Sequence, residues 1–299
     1  MPVTLTLGLH QDPHDGELPL DLLHQFGSPL QLLATAGLFQ LPAQARQHQR
    51  AHIAAAALEA VRSQAQALGI KSADDLWGGF VEHDFICTKA ISHGLLSPEA
   101  KAPEGWSPLF CERVRDVVLA GLSVFALEDA RPAAERLLYS GPIRLKPVHA
   151  CAGRGQEVIH SLDAFEAVLA RPEAAQMFSE GVVLEQDLHD VVTHSVGQSF
   201  IGDHVFSYCG EQYLTKDGQG EEVYGGSNLL VVPGGYEDLL TLDLPDGVRQ
   251  AIEQAQVFDA AADEAYPGFY ASRRNYDIAQ GLDSDGQRRS GVLEQSWRM

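Results

Sequence analysis

Residues 275–278 read Asn-Tyr-Asp-Ile, residues 283–286 read Asp-Ser-Asp-Gly, and residues 292–298 read Val-Leu-Glu-Gln-Ser-Trp-Arg. The first and last stretches alternate apolar and polar residues, and an Asp-Gly step between two such runs is typical of a β-hairpin. Both central residues of a tight type I′ turn need positive φ, which glycine and aspartate tolerate. The sequence therefore predicts an antiparallel hairpin with the two-residue loop Asp285-Gly286.

This hairpin predicts a cation site. A two-residue loop places Asp277 directly opposite Glu294, and Asn275 opposite Ser296, on one face of the hairpin. Two carboxylates about 5 Å apart repel each other by roughly 3 kcal/mol at an effective dielectric constant near 20. Mg²⁺ is the natural ion to offset this repulsion, because it binds one or two carboxylates together with water and phosphate oxygens. An acidic, solvated hairpin without a ligand is the alternative interpretation.

The composition is that of an ordinary soluble globular protein. Of the 299 residues, 45% are hydrophobic and 21% are charged, and no apolar run is long enough to cross a bilayer. The N-terminus lacks the basic segment and long apolar core of a signal peptide, which predicts a cytoplasmic protein. A formal net charge of −20 opposes binding to nucleic acid or anionic lipid, because either requires a basic face. Four scattered cysteines, without a Cys-x-x-Cys pair, predict reduced thiols.

The pattern along the chain predicts a mixture of helices and strands. Helices are predicted at 41–68, 128–138, 163–170 and 245–266, and strands at 3–9, 143–148, 156–160, 181–187, 194–201 and 204–213. Asp163 and Glu166 resemble a capping box, and Gly202-Asp203 predicts a hairpin turn. The irregular stretch 72–121 is interpreted as the connection between a small N-terminal domain and the rest of the chain.

A second group of residues indicates an anion site. Arg144 and Lys146 alternate with aliphatic residues, so that both cations share one face of a strand. The small-residue loop Ala150-Cys151-Ala152-Gly153-Arg154-Gly155-Gln156 follows directly. Gly153 and Gly155 allow backbone amides to approach an anion closely, and Lys146 supplies a positive charge. The loop matches neither a Rossmann nor a Walker sequence, and a plain hairpin turn beside a solvated strand is the alternative interpretation.

The order of these parts resembles the ATP-grasp superfamily. It comprises a lysine-bearing strand with a glycine loop, an apolar strand ending at Glu185-Gln186-Asp187-Leu188, a long helix and a hairpin with two carboxylates. The resemblance covers roughly Phe85 to Met299, and the whole sequence is similar to a bacterial ATP-grasp-like family of unassigned function. It implies an α/β (α+β) protein with an ATP-grasp domain at 85–299 and a small α/β pre-ATP-grasp domain at 1–84.

The resemblance also implies a role for each part of the site. The residues implied to bind ATP are Lys89, Lys146, Gly153, Arg154, Gly155, Glu185, Gln186, Asp187, Leu188 and, on the ribose, Asp190. The residues implied to hold Mg²⁺ are Asp277, Glu294 and Ser296, the last of which replaces the asparagine usual in the family. Arg274 and Arg298 are the catalytic candidates, although either Arg273 or Arg274 could grip a substrate carboxylate or phosphate.

The implied function is ATP- and Mg²⁺-dependent ligation of a carboxylate to an amine or a related nucleophile, through an acyl phosphate. The expected partner is a small molecule or peptide that carries a carboxylate, with no nucleic acid and no membrane, and homodimer formation is left open. Two alternatives keep the fold: a phosphotransferase that acts on a hydroxyl, and a non-catalytic nucleotide-binding module, which Ser296 favours. Members of the resembling family continue past the equivalent of Arg298 into a Gly-rich loop, which leaves open whether the chain is truncated at Met299.

Overall fold

The computed structural model describes residues 3–8, 60–61, 71–75, 78–150, 155–216, 220 and 222–297, with the backbone alone at 3–8, 60–61, 75 and 222–223. The predicted helix at 41–68 falls outside the described residues except at Ala60–Val61, which form a short strand. The site candidates Gly153, Arg154 and Arg298 also lie outside them. The described residues mix helices and strands, which confirms the predicted α+β class.

The largest sheet contains six strands of the described chain. They are β1 (Val3–Gly8), β8 (His189–Ile201), β9 (His204–Lys216), β10 (Glu222–Pro233), β12 (Arg273–Leu282) and β13 (Arg288–Ser296). Their order is β1-β10-β9-β8-β12-β13, and every neighbouring pair is antiparallel. The predicted turn at Gly202-Asp203 is confirmed, because Ile201 pairs with His204.

Two smaller sheets complete the described strands. The four-stranded sheet contains β4 (Gly121–Val124), β7 (Val182–Gln186), β5 (Ile143–Pro147) and β6 (Glu157–Ile159), in that order. The three-stranded sheet contains β11 (Tyr270–Ala271), β3 (Gly79–Val81) and β2 (Ala60–Val61). The division of the chain at residues 84 and 85 stays a prediction.

The helices are short except for the last one. They are α1 (Pro108–Val114), α2 (Leu127–Leu138), α3 (Leu162–Leu169), α4 (Ala174–Glu180), α5 (Tyr236–Leu240) and α6 (Asp246–Ala265). The predicted capping box at Asp163 is wrong, because the hydroxyl of Ser161 caps α3 by accepting the amide of Ala164. There are also two 3₁₀ helices, Asp84–Cys87 and Lys89–Ser92, and the second begins with the first predicted lysine. Among the described residues, no helix combines the length and apolar character needed to cross a membrane.

Each of the two larger sheets is covered by helices on one face. Helix α6 packs Phe258 against Tyr276 and Ile278 of the six-stranded sheet. Helices α2, α3 and α4 cover the four-stranded sheet and bury Ile143 and Leu145 of β5. Full burial of such side chains stabilises the fold by roughly 1.5–3 kcal/mol each, so the helix-covered face of each strand is fixed. Polar side chains are thereby directed to the opposite faces.

The predicted hairpin turn is wrong by one residue. The amide of Asp283 donates to the carbonyl of Gln287, and the amide of Gly286 donates to the carbonyl of Asp283. The loop therefore has three residues, 284–286, and ends on Gly286 at φ 73°. A three-residue loop that closes on a left-handed glycine is a common hairpin type, which the sequence does not separate from the two-residue loop.

The predicted pairing of the two carboxylates is nevertheless confirmed. The longer loop shifts the register by one residue, so that Ile278 pairs with Val292. A β-bulge then places Leu293 outside the ladder and shifts the register back. Asp277 consequently pairs with Glu294, as the two-residue loop had predicted. The extra loop residue and the bulge residue therefore offset each other, and the pairing at the site is the predicted one.

Candidate functional site

The site is centred on the carboxylates of β12 and β13. Asp277 is half-buried, and Glu294 is 37% exposed. Burial, together with the negative charge of Glu294, raises the pKa of Asp277 from 3.8 to about 6. Asn275 Nδ2 donates to Asp277 Oδ1 at 3.0 Å, and Ser195 Oγ lies 3.4 Å from the same oxygen. The predicted repulsion between facing carboxylates is therefore present, and neutral donors offset part of it.

Lys89 connects the carboxylates to the start of the glycine loop. Its ammonium is buried and lies 3.2 Å from Glu294 Oε2. The same Nζ donates to the carbonyl of Ala150 at 2.6 Å, directly before the loop that the sequence predicts to bind phosphate. The structure thus brings together a lysine and a carboxylate that lie about two hundred positions apart in the sequence.

The segment that carries Lys89 is fastened to β13. Gln295 Nε2 donates to the carbonyls of Ile86 and Thr88, at 2.7 and 2.9 Å. Ser92 Oγ donates to the carbonyl of Leu293, at 3.2 Å. Because Gln295 and Glu294 alternate along the strand, Gln295 holds the backbone of the segment while Glu294 meets its lysine.

Lys146 belongs to a buried triad of side chains with Glu185 and His93. Its ammonium donates to Glu185 Oε1, and the other carboxylate oxygen, Oε2, lies 2.8 Å from His93 Nε2. Burial acts to raise the pKa of Glu185, but Lys146 and His93 outweigh it and lower this pKa to about 2. All three side chains are buried. The sequence predicted Lys146 and Glu185 at this site, whereas it gave no signal for His93.

The predicted hinge follows Glu185 at the end of β7. The amide of Gln186 donates to the carbonyl of Ala120, and the amide of Asp187 donates to the carbonyl of Pro142. The side chain of Asp187 pairs with Arg144 at 2.6 Å, and Leu188 is buried. These contacts fix the course of the backbone where β7 ends.

The remaining predicted nucleotide residues lie at the rim. Asp190 is exposed, adopts a left-handed φ of 51° and pairs with His189 at 2.9 Å. Gly155 has a φ of 67°, a conformation that glycine adopts without strain, and lies just after the loop residues outside the described chain. Their roles at the nucleotide stay predictions.

The two neighbouring arginines of β12 lie on opposite faces of the sheet. Arg274 faces α6, where its Nη1 lies 3.0 Å from Asp259 Oδ1 and 2.8 Å from Asp263 Oδ2. The structure does not bring this catalytic candidate together with Asp277. Arg273 shares the face of Asp277, and its charge opposes the upward shift that burial and Glu294 impose on the pKa of Asp277. Strand alternation already separates the two arginines in the sequence, because residues 273 and 277 share one face of the strand and residue 274 lies on the other.

Hydroxyl and amide side chains extend the site across the neighbouring strands. Gln212 Nε2 donates to Ser195 Oγ at 2.9 Å, and the hydroxyls of Tyr224 and Ser227 are 2.9 Å apart. Ser195 and Ser227 lie 3.4 Å from each other. Sequence analysis missed this network, because small polar residues on separate strands form no motif. Ser296 lies opposite Asn275 at the other end of the face.

The donor set of the hairpin fits a divalent cation. Asp277 and Glu294 offer hard carboxylate oxygens from paired positions, and the raised pKa of Asp277 marks a place where added positive charge would be favourable. In the part of the chain that the structure describes, no group of three or more His, Cys, Asp or Glu residues converges. A cation here would therefore take its other ligands from water and phosphate, as Mg²⁺ does.

Two cavities among the described residues lie away from this site. One cavity of about 160 Å³ lies between the end of β5 and α4, around Val148 and Met177. Another of about 200 Å³ lies beside the end of α6, around His83 and Tyr266. Neither is lined by Lys89 or by the carboxylates of the hairpin. A small closed pocket is also not required for a ligand that binds along an open face.

Residues 14–299 match the family described as "Protein of unknown function (DUF3182)", and the chain belongs to that family. This agrees with the predicted family of unassigned function. The curated proteins contain no significant match to the chain.

The chain is similar to solved structures of ligases and carboxylases. One is the biotin carboxylase domain of 2-oxoglutarate carboxylase from Hydrogenobacter thermophilus, with 16% identity, a TM-score of 0.47, and 95% of this chain and 53% of that chain covered. A second is D-alanine–D-alanine ligase from Bacillus anthracis, with 13% identity, a TM-score of 0.43, and coverages of 79% and 63%. A third is the ATP-grasp ligase PsnB, with 19% identity, a TM-score of 0.33, and coverages of 62% and 48%.

The chain spans about half to two thirds of the length of these neighbours. The likenesses concern the course of the backbone. What the site can bind and catalyse follows from this chain's own side chains.

Proposed function

We propose that the protein is an ATP- and Mg²⁺-dependent ligase that joins a carboxylate to an amine or a related nucleophile. One observation carries the proposal: Lys89 contacts both Glu294 of the carboxylate pair and Ala150 at the start of the glycine loop. A phosphate-binding loop and a two-carboxylate cation site are thereby joined through one ammonium group. Phosphoryl transfer needs this combination, because its transition state is stabilised mainly by positioned positive charge.

The two lysines serve the nucleotide in different ways. The side chain of Lys146 projects from the four-stranded sheet beside Glu185, where the hinge 185–188 begins. It is suited to bind a phosphate oxygen on the adenine side of the nucleotide. Lys89 lies at the carboxylate end, where the terminal phosphate would meet Glu294. Each ammonium already has a carboxylate partner, so it is held in place before ATP binds. Such preorganisation lowers the cost of ordering the site on binding.

The carboxylate pair supports the metal part of the proposal. Asp277 and Glu294 would hold a divalent cation, which when bound neutralises charge on the phosphates and helps to align them. The other side chains orient these two ligands: Asn275 and Ser195 fix one oxygen of Asp277. Asn275 is itself held, since its Oδ1 accepts from the hydroxyl of Tyr208 at 3.1 Å.

The reaction proposed has two steps. An oxygen of the substrate carboxylate attacks the γ-phosphorus, ADP leaves, and an acyl phosphate forms. The amine nitrogen then attacks the acyl carbon, inorganic phosphate leaves, and the amine loses a proton. Arg273, on the face of Asp277, supplies a positive charge for the substrate carboxylate, and the hydroxyls of Ser195 and Tyr224 line the same face.

Product analysis tests the proposal. The purified protein is incubated with Mg·ATP and with pools of carboxylates and amines, singly and together, while ADP and phosphate are measured. A ligase releases ADP and phosphate in equal amounts only when a carboxylate and a nucleophile are both present. ADP formation with a hydroxyl acceptor alone, without free phosphate, would identify a kinase instead. Binding of Mg·ATP without turnover on any pool would identify a non-catalytic module.

A matched pair of variants connects any turnover to the hairpin. Asp277→Asn removes one of the two carboxylates and should abolish Mg²⁺-dependent turnover. Asp285→Asn removes an exposed carboxylate from the turn of the same hairpin and should leave turnover unchanged. Equal turnover in the two variants would contradict the proposed site.

A further inference from the structure

We propose that His93 is a positioning residue, which holds Glu185 and thereby sets where the ammonium of Lys146 stands for the nucleotide. The inference rests on the proposed function. It concerns a side chain that contacts neither the two hairpin carboxylates nor the hinge backbone, and that carries no motif in the sequence. His93 is 2% exposed and follows directly after the 3₁₀ helix Lys89–Ser92.

His93 acts on Lys146 through Glu185, which contacts both side chains. Glu185 Oε2 lies 2.8 Å from His93 Nε2, and Oε1 accepts from Lys146 Nζ. Glu185 is 1% exposed, so its charge depends on these two partners. A buried carboxylate that loses one partner retains the desolvation cost and interacts more strongly with the partner that remains. Without His93, Glu185 would therefore hold Lys146 more tightly and withhold it from a phosphate.

The surroundings of His93 are shaped to its ring. Gly121, the first residue of β4, faces the imidazole, and a Cβ at this position would lie 2.7 Å from the ring. The carbonyl of His93 accepts from the thiol of Cys111 at 3.5 Å, which orients the backbone. A residue larger than glycine at 121 would push the ring away from Glu185. The imidazole is therefore placed by its neighbours and does not reach Glu185 by chance.

The position of His93 also ties the two lysines together. The short segment from Ile86 to His93 is fastened by Gln295 at one end and by His93 at the other. The first anchor lies on β13, beside Glu294, and the second lies on β7, at the start of the hinge. A shift of the segment therefore moves Lys89 relative to Glu294 and His93 relative to Glu185 at the same time. His93 thereby couples the cation site to the nucleotide site.

Three variants test the proposal through the affinity for Mg·ATP, measured by calorimetry beside the melting temperature. His93→Leu removes the donor and should weaken binding by about tenfold or more. His93→Gln retains an N–H donor and should restore binding to within about threefold of the wild type. Ser161→Ala removes the N-terminal cap of α3, away from Glu185 and from the Lys89 segment, and its affinity should stay within about twofold. A purely structural role for His93 predicts parallel losses in stability and affinity for all three variants.

The contrary outcomes are specific. Wild-type affinity in His93→Leu, failure of His93→Gln to restore binding, or an equal loss in Ser161→Ala would each overturn the proposal. If His93→Leu does not fold, His93→Ala takes its place, because alanine also offers Glu185 no donor and should weaken binding by the same factor. Wild-type affinity in His93→Ala would then overturn the proposal. Failure of the wild type itself to bind Mg·ATP would instead reject the proposed function.

Discussion

Asp277 retains its charge against two opposing influences, burial and the neighbouring Glu294. The donors around it, Asn275 and Ser195, are neutral and offset only part of this cost. Lys89 meets Glu294 and not Asp277 among the contacts described. At the scale of single residues, the carboxylate of Asp277 therefore lies in an unfavourable electrostatic environment. A bound cation would stabilise its charged form.

The stability of the protein should depend on pH through Asp277. The pKa is raised from 3.8 to about 6 on folding, so the native state binds this proton more tightly than the unfolded state. The resulting contribution is most favourable below about pH 4 and is lost as the pH rises to about 6. Asp277→Asn should thus increase the free energy of unfolding at pH 7, without metal, by about 1 kcal/mol.

Urea unfolding curves at pH 4 and pH 7 measure this difference. The gain should shrink strongly at pH 4, where the carboxyl of Asp277 is protonated in the folded state and partly protonated in the unfolded state. Asp285→Asn, in the exposed turn, serves as the control for removing one negative charge. A variant that is less stable than the wild type at pH 7 would favour a hairpin built around the charge of Asp277.

Arg274 should matter for folding and not for nucleotide affinity. It is 12% exposed on its side chain, as is Asp259, and it also lies 4.9 Å above the ring of Phe269. Removing one partner of a buried pair leaves an uncompensated charge and typically costs about 3 kcal/mol. Arg274→Met should therefore lower the free energy of unfolding by about that amount, while the affinity of the folded protein for Mg·ATP stays unchanged.

Calorimetry below the melting temperature, together with denaturant unfolding, separates the two effects. Arg113→Met is the control. Arg113 forms an exposed ion pair with Glu264, which lies on α6 as Asp259 does, and its replacement should lower the free energy of unfolding only slightly. Full stability combined with lost turnover in Arg274→Met would restore Arg274 as a catalytic candidate.

At the scale of elements, the sequence predicted what periodicity determines. The helix expected at 245–266 is observed as Asp246–Ala265, and the strands around Lys146 and Glu185 lie where they were expected. The hairpin was also predicted, but its loop length was not, because the Asp-Gly step suits a two-residue loop and the end of a three-residue loop equally. Local sequence does not choose between these loops.

Gly286 should tolerate only residues that accept a left-handed backbone. It ends the hairpin loop at φ 73°, with open space around an added Cβ. Gly286→Ala should therefore destabilise the protein by about 1 kcal/mol through backbone strain alone, and Gly286→Asn should cost less, because asparagine adopts this conformation more readily. Thermal unfolding of the two variants measures the difference. Equal losses would indicate that the loop changes conformation and does not retain the observed turn.

Sequence could not predict the contacts that join distant elements. Lys89 reaches Glu294, and His93 reaches Glu185, across long separations that no local pattern encodes. The family resemblance supplied Lys89 but not its partner, and it supplied nothing for His93. Arg273 and Arg274 differ in this respect, because strand alternation alone places Arg273, and not Arg274, on the face of Asp277.

At the scale of the whole molecule, two helix-covered sheets direct their charged side chains toward the Lys89 segment. That segment contacts β13 through Gln295 and β7 through His93. The molecule otherwise carries a formal net charge of −20. A polyanionic ligand would therefore be drawn by the local lysines and the cation, against the field of the rest of the protein.

Mg²⁺ and ATP together should stabilise the protein more than the sum of their separate effects. A ligand at one hundred times its dissociation constant adds about 2.7 kcal/mol to the free energy of unfolding. For a protein of this size, that corresponds to a rise of about 4 °C in melting temperature. Mg²⁺ or ATP alone should give a much smaller rise, because each leaves charge in the site uncompensated. Additive shifts in a thermal scan would mean that the two ligands do not share a site.

The bulge at Leu293 has a consequence for how this family can change over time. The three-residue loop and the bulge each displace the strand pairing by one position, and with both of them Asp277 lies beside Glu294. A relative that lost a residue from the loop would keep Asp283 opposite Gln287, and one that lost Leu293 would keep Glu294 opposite Asp277, because each deletion removes an unpaired residue. Gaps in an alignment of the family should therefore occur at these two places independently, and not within the paired residues between them.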